Sequence, residues 1–140
     1  MKFLYGYFHP DTGESIVALA NRDGVYIGEA KLHQEDKEFE SELCGCRLAE
    51  MRAWVKYLLT ERRRKKLMLK AIQNLNKDIQ LNCNNIDPKI QRRINLKLRD
   101  YTQEISTINK DITDLKNQIA KDIKIRDDLI KRSNSNKKYT

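Results

Sequence analysis

From Ile90 to Ile130 apolar residues return every three or four positions: Ile90, Ile94, Leu98, Tyr101, Ile105, Ile108, Ile112, Leu115, Ile119, Ile123 and Ile130, with Arg126 on the same line. The steps between Leu98 and Ile119 alternate three and four, which is a heptad. Consecutive steps of four at either end act as stutters that relax a left-handed supercoil. A helix from about Pro88 to Lys131, rising 1.5 Å per residue, reaches about 65 Å. No globule built from the remaining residues covers a stripe that long. The stripe must face another helix of the chain, further copies of itself, or both.

The start of that helix is written in Asp87-Pro88, an N-cap followed by proline at the first helical position. Before it, Leu81 to Asp87 is an Asn-rich turn. A first helix begins near Ser41, with Met51, Trp54, Leu58, Met68, Ile72, Leu75 and Ile79 on its apolar side. Its stripe fails across Glu61-Arg62-Arg63-Arg64-Lys65-Lys66, where the helix either runs on with a wet segment or bends. The expected helices are about 41–80 and 88–131, paired as a coiled-coil hairpin over 41–132. In a hairpin turning near residue 84, Arg92 and Arg93 face Asn74 to Lys77, and Arg62 to Lys66 face residues near 102–106. Residues 133–140 are a polar, basic tail, expected to be disordered.

Residues 1–40 follow a different rhythm. Lys2 to Phe8 reads as a strand with Phe3, Tyr5 and Tyr7 on one face and Leu4 and Phe8 on the other. A turn at His9-Pro10-Asp11-Thr12-Gly13-Glu14 leads into Ser15 to Asn21, apolar on both faces and therefore central. Arg22-Asp23-Gly24 carries the Asp-Gly signal of a tight hairpin into a third strand, Val25 to His33. Gln34 to Glu42 is an acidic connector. The expected class is α+β: an N-terminal antiparallel three-stranded β-meander followed by two long C-terminal α-helices. A sheet this small needs a second layer from its own helices or from a partner chain, so a homo-oligomer, a dimer or higher, is expected.

Charge is uneven. Residues 1–60 hold 7 Lys and Arg against 10 Asp and Glu, whereas residues 61–140 hold 21 against 10. A basic helical half suits a polyanionic partner; the plainer reading is a solvated, Lys-rich coiled-coil exterior. No apolar run is long enough for a signal peptide or a membrane span, and three cysteines is an odd number. The expectation is a cytoplasmic protein without disulfides and without membrane contact.

Cys44-Gly45-Cys46, Cys83, His9 and His33 include zinc-ligand types, but C-x-C is not C-x-x-C and no second pair follows, so they read as small buried thiols at a helix start and no metal or cofactor is expected. His9, His33, Asp11, Asp23, Glu35 and Asp36 accompany no catalytic signature, and no enzyme activity is expected. Arg47, Arg52 and Lys56, near Trp54 and Tyr57, interleave cations with aromatic rings, as a flat anionic ligand requires. The plainer reading makes Trp54 core and the cations its flanks.

The stretch Gly28-Glu29-Ala30-Lys31-Leu32-His33 with Asp36, followed by Gly45-Cys46-Arg47-Leu48-Ala49-Glu50-Met51-Arg52-Ala53, resembles a pattern in small proteins of phages and prophages of Gram-positive bacteria. There a meander ending in G-x-A-x-x-H-x-x-D leads into G-C-x-x-A-E-x-R-A at a helix start. The order of elements also resembles the first-described Thoeris anti-defence family. The resemblance implies a phage protein that sequesters a cyclic nucleotide immune signal (a cyclic ADP-ribose isomer or a cyclic oligonucleotide) without cleaving it, as an oligomer in the host cytoplasm. It also implies that Arg52, within A-E-x-R-A, is among the ligand residues. With the cation–aromatic cluster and the expected oligomer, the resemblance gives as expected ligand residues Arg47, Arg52 and Tyr57 from one protomer with Arg92, Arg93 or Arg99 from another. The alternatives are a protein-interaction inhibitor of a host defence nuclease and a nucleic-acid-binding coiled coil.

Overall fold

The structure is a computed structural model that describes residues 1–9, 11–31 and 42–137, with side chains described for all of these except 42–44, 129–130 and 133–137. Three strands come first, β1 (Lys2–His9), β2 (Glu14–Asn21) and β3 (Gly24–Lys31), then two helices, α1 (Glu42–Asn82) and α2 (Pro88–Lys137). The strands form one antiparallel sheet in the order β1-β2-β3. This is the α+β class and the meander-then-hairpin order that the sequence implies. The chain divides into two compact units, residues 1–57 with 113–140, and residues 58–112.

In the first unit, the pairing of β2 with β3 runs from Glu14↔Lys31 to Asn21↔Gly24 without a slip. The loop is Arg22-Asp23, and Asn21 Oδ1 accepts from the Asp23 and Gly24 amides at 2.9 and 3.1 Å. Gly24 is thus the first residue of β3 rather than a turn centre, and among the described residues only Gly13 has positive φ, 71°. There the Gly13 amide donates to the His9 carbonyl at 2.8 Å, closing the β1–β2 turn. Pro10, the end of the expected third strand at Leu32 and His33, the acidic connector, and residues 138–140 lie outside the described residues.

The β1 register corrects one expectation. Phe3 pairs with Leu19 and Tyr5 with Ala18, so Leu4 is a bulge. An extra residue in one strand inverts the alternation on one side of it. Phe3 therefore shares a face with Gly6 and Phe8, and only Tyr5 and Tyr7 remain together on the other face. A Cβ built on Gly6 would meet the Phe3 ring at 2.9 Å, which places that ring over the glycine.

The face carrying Ser15, Val17, Leu19, Tyr26, Gly28 and Ala30 is buried. Leu48, Ala49, Met51 and Ala53 of α1 pack with Val17, Leu19 and Ala30 as one core, joined by half-buried Cys46, Trp54, Leu115, Ile119 and Ile123. The helices supply the second layer that so small a sheet requires.

In the second unit, Leu58, Ile94, Tyr101 and Ile112 are the buried apolar side chains. Asp87 caps α2 as its sequence dictates: Oδ1 accepts from the Lys89 amide at 2.9 Å, and the carbonyl accepts from Ile90 and Gln91. Gln91 bonds Asn76 at 3.1 Å and Gln80 at 3.0 Å, which sets the register near the turn. α1 is continuous through Glu61–Lys66. Where its apolar stripe lapses, polar partners on α2 take over: Arg62 donates to Asn109 at 3.0 Å and Lys65 pairs with Glu104 at 2.9 Å. α2 continues to Lys137, beyond Lys131, so residues 133–137 of the expected disordered tail are helical. No Gly or Pro occurs there to stop it. Cys83, read as a buried thiol, is exposed, because it sits past the end of α1 where no layer covers it.

The hydrogen bond that Lys65 donates to Glu104, opposed by burial and assisted by the charge of Glu104, holds the Lys65 ammonium above its ordinary pKa of 10.5. It also lies 5.5 Å from the Tyr101 ring centroid. A raised amine contributes stability that is complete below the unfolded value and is lost as pH climbs through the folded one. Glu104 is 47% exposed, so solvent screens the pair. Glu104→Gln is expected to cost roughly 0.5 kcal/mol at neutral pH and to reduce the loss of stability above pH 10.5, read by urea unfolding on either side of that value.

Candidate anion-binding site

The two units differ sharply in charge. Residues 58–112 hold 13 Lys and Arg against 6 Asp and Glu, a surplus of 7, whereas the rest of the chain holds 15 against 14. Nearly all of the positive surplus belongs to the second unit. A ligand chosen by charge is therefore drawn there first.

Of the expected ligand residues, three belong to the first unit and have scaffold partners. Arg52 donates from its guanidinium to the Glu29 carbonyl at 2.8 Å. Among the described residues β3 is an edge strand, and this bond ties α1 to the sheet. Tyr57 meets Tyr26 edge to face at 5.2 Å and Trp54 at 5.8 Å, an aromatic cluster between helix and sheet. Arg47 pairs with Asp122 at 3.3 Å, its side chain still 63% exposed.

The resembling motif gains a packing explanation from this geometry. Gly28 lies so close to α1 that a Cβ there would collide with Ala49 O and stand 2.6 Å from Ala53 N. Ala49 and Ala53 are fully buried. Glycine on the strand with alanines one helical turn apart lets two backbones touch, and the arginine between them caps the strand edge. The G-x-A and A-E-x-R-A elements thus build the sheet–helix crossing.

The other three expected residues, Arg92, Arg93 and Arg99, belong to the second unit and are exposed. Arg92 and Arg99 lie seven residues apart on one face of α2, about 10 Å along the axis. With Pro88, Gln91, Asn95 and Leu96 they line an open hollow of about 450 Å³. Among the described residues no carboxylate engages Arg92 or Arg93, and Arg99 contacts Asp100 only at 3.9 Å. Guanidinium groups so placed take phosphate oxygens in paired hydrogen bonds. Arg93 points elsewhere around the helix, about 100° from Arg92.

The run Arg62–Lys66, which with Arg92 and Arg93 forms the strongest basic clusters of the sequence, belongs to a longer cationic line that also takes in Lys70 and Lys77. Arg63, Lys66, Lys70 and Lys77 are all exposed on α1. The signal for it is the run Arg62–Lys77, which contains seven cations and no carboxylate. A hollow of about 620 Å³ opens along it beside Leu59 and Leu67.

His9 Nδ1 accepts from the Thr12 amide at 3.3 Å and its ring lies edge-on to Tyr7, a turn role. Among the described residues no three His, Cys, Asp or Glu side chains converge as a metal site would require, and no helix is long and apolar enough to cross a membrane. Glu35, Asp36, His33 and the Cys44 side chain lie outside the described residues. Comparison of the chain with family models, curated proteins and solved structures finds no match.

Proposed function

We propose that this protein is a non-catalytic, oligomeric sequestering protein for a small phosphate-bearing signal of the cyclic-nucleotide class, serving phage antagonism of host immunity. The observation that carries the reading is the α2 hollow, where Arg92, which has no carboxylate partner among the described residues, and Arg99, whose contact with Asp100 is 3.9 Å long, stand on one face beside Gln91, Asn95 and Leu96. Its volume falls in the range of small-molecule sites. Residues from one helix line it, so half of a ligand there stays open to a second protomer. The resemblance of residues 28–53 to phage accessory proteins supports the same reading. Arg52 has donors beyond the one given to Glu29.

Titration calorimetry with cyclic ADP-ribose isomers and cyclic di- and trinucleotides tests this. Binding at micromolar concentration or tighter is expected for at least one of them, with the ligand recovered intact on denaturation. Arg92→Ala and Arg99→Ala should each weaken it about 10- to 100-fold, the usual effect of losing a charged hydrogen bond. Absence of heat with every compound at high micromolar concentration would end the proposal.

A further inference from the structure

A helix exposed to water normally mixes its charges, because neighbouring cations repel one another. α1 does not do this between Arg62 and Lys77, where seven cations occur with no Asp or Glu. They sort into two sets. Arg62, Arg64 and Lys65 have partners within the second unit: Asn109, Glu61 and Glu104 respectively. Arg63, Lys66, Lys70 and Lys77 are exposed and, among the described residues, none has a carboxylate within ion-pair distance. At 100° per residue these four fall within a sector of about 60°, and they span about 21 Å along the helix. Leu59 and Leu67 flank the upper half of the line, and no aromatic residue lies on it.

The geometry points to a nucleic-acid contact: α1 lies along a duplex and the line Arg63–Lys66–Lys70–Lys77 binds its phosphate backbone without reading sequence. A straight row of cations along one face of a helix matches a rod-like polyanion whose charge recurs about every 1.7 Å of axis. Single-stranded nucleic acid is the poorer fit, since its recognition depends on aromatic platforms for base stacking, which the line lacks. The contact uses a different helix from the α2 hollow and stands whether or not a cyclic nucleotide binds there.

Four phosphate contacts predict a measurable salt slope. The logarithm of the association constant should fall against that of salt concentration with a slope near about −3.6, or steeper if other cations join. That is about a 150-fold loss between about 50 and 200 mM salt. Fluorescence anisotropy with a labelled mixed-sequence DNA duplex, using the full chain, reads this directly. The variant Arg63→Gln, Lys66→Gln, Lys70→Gln, Lys77→Gln keeps residues of similar helix propensity and should lose most of the slope and affinity with unchanged helical circular dichroism. Arg63→Lys combined with Lys66→Arg, Lys70→Arg and Lys77→Arg preserves the charge and should keep the slope, which separates loss of charge from loss of fold. Failure of the duplex to bind at low salt overturns the inference. So does a slope that the glutamine variant leaves intact, or tighter binding to polyglutamate than to the duplex.

Discussion

Gly28→Ala is expected to unfold the first unit or to destabilise it by more than about 3 kcal/mol, although it adds one methyl group. Overpacking a core ordinarily costs about 1–3 kcal/mol, because side chains can turn aside. Here the added carbon meets backbone: Ala49 O, with Ala53 N at 2.6 Å and Ala49 C at 2.8 Å. A helix backbone cannot rotate away, so α1 must shift off the sheet. That shift loosens Ala49 and Ala53 from the core and breaks the Arg52–Glu29 bond. Trp54, the sole tryptophan, packs against this core and reports its state by fluorescence. Gly24→Ala is the matched control. Its Cβ would find nothing nearer than the Tyr26 hydroxyl at 3.8 Å, and a change within about 0.5 kcal/mol is expected. Equal tolerance of both substitutions in urea unfolding would mean that strand and helix are not in contact at Gly28.

Leu19→Ala is expected to cost about 3–5 kcal/mol, the upper part of the range for a leucine truncated in a core. Leu19 is 2% exposed, on the central strand, and packs in the same cluster as Val17, Leu48 and Met51. Collapse of the site is limited because the strands on either side hold β2 in register. Ile27→Ala removes a similar side chain from the opposite face, where Ile27 is 44% exposed, and should cost less than about 1 kcal/mol. The contrast tests which face of the sheet the helices cover. A larger loss at Ile27 than at Leu19 would reverse that assignment.

Much of the architecture was legible because it rests on local chemistry. Asp87-Pro88 starts α2 through a cap that needs no tertiary partner, and the heptad from Leu98 to Ile119 needs only helical periodicity. β2 was recognisable as central because it is apolar on both faces. Period-two counting failed at Leu4, since a bulge depends on how β1 pairs with β2. Tail and thiol were misjudged because composition describes polarity: the tail lacks the Gly or Pro that would stop α2, and the cover over Cys83 depends on neighbours.

The candidate site was only half readable. Arg92, Arg93 and Arg99 were singled out together from the sequence, and helical spacing puts Arg92 and Arg99 on one face of α2. Arg52 and Tyr57 also looked like ligand groups, because cation beside aromatic has the same signature in a binding site and in a helix–sheet junction. The partners that separate these uses, Glu29 and Tyr26, lie more than twenty residues earlier in the chain.

By itself, then, the sequence determined the elements, their order, the start of the second helix and the bias of charge toward residues 58–112, because capping, periodicity and net charge act within a few residues or simply add. Only the tertiary structure decided which face of the sheet is covered, which cations have partners and which remain exposed, and why residue 28 must be glycine. Those outcomes depend on distances between segments remote in the chain, and no local pattern encodes such a distance.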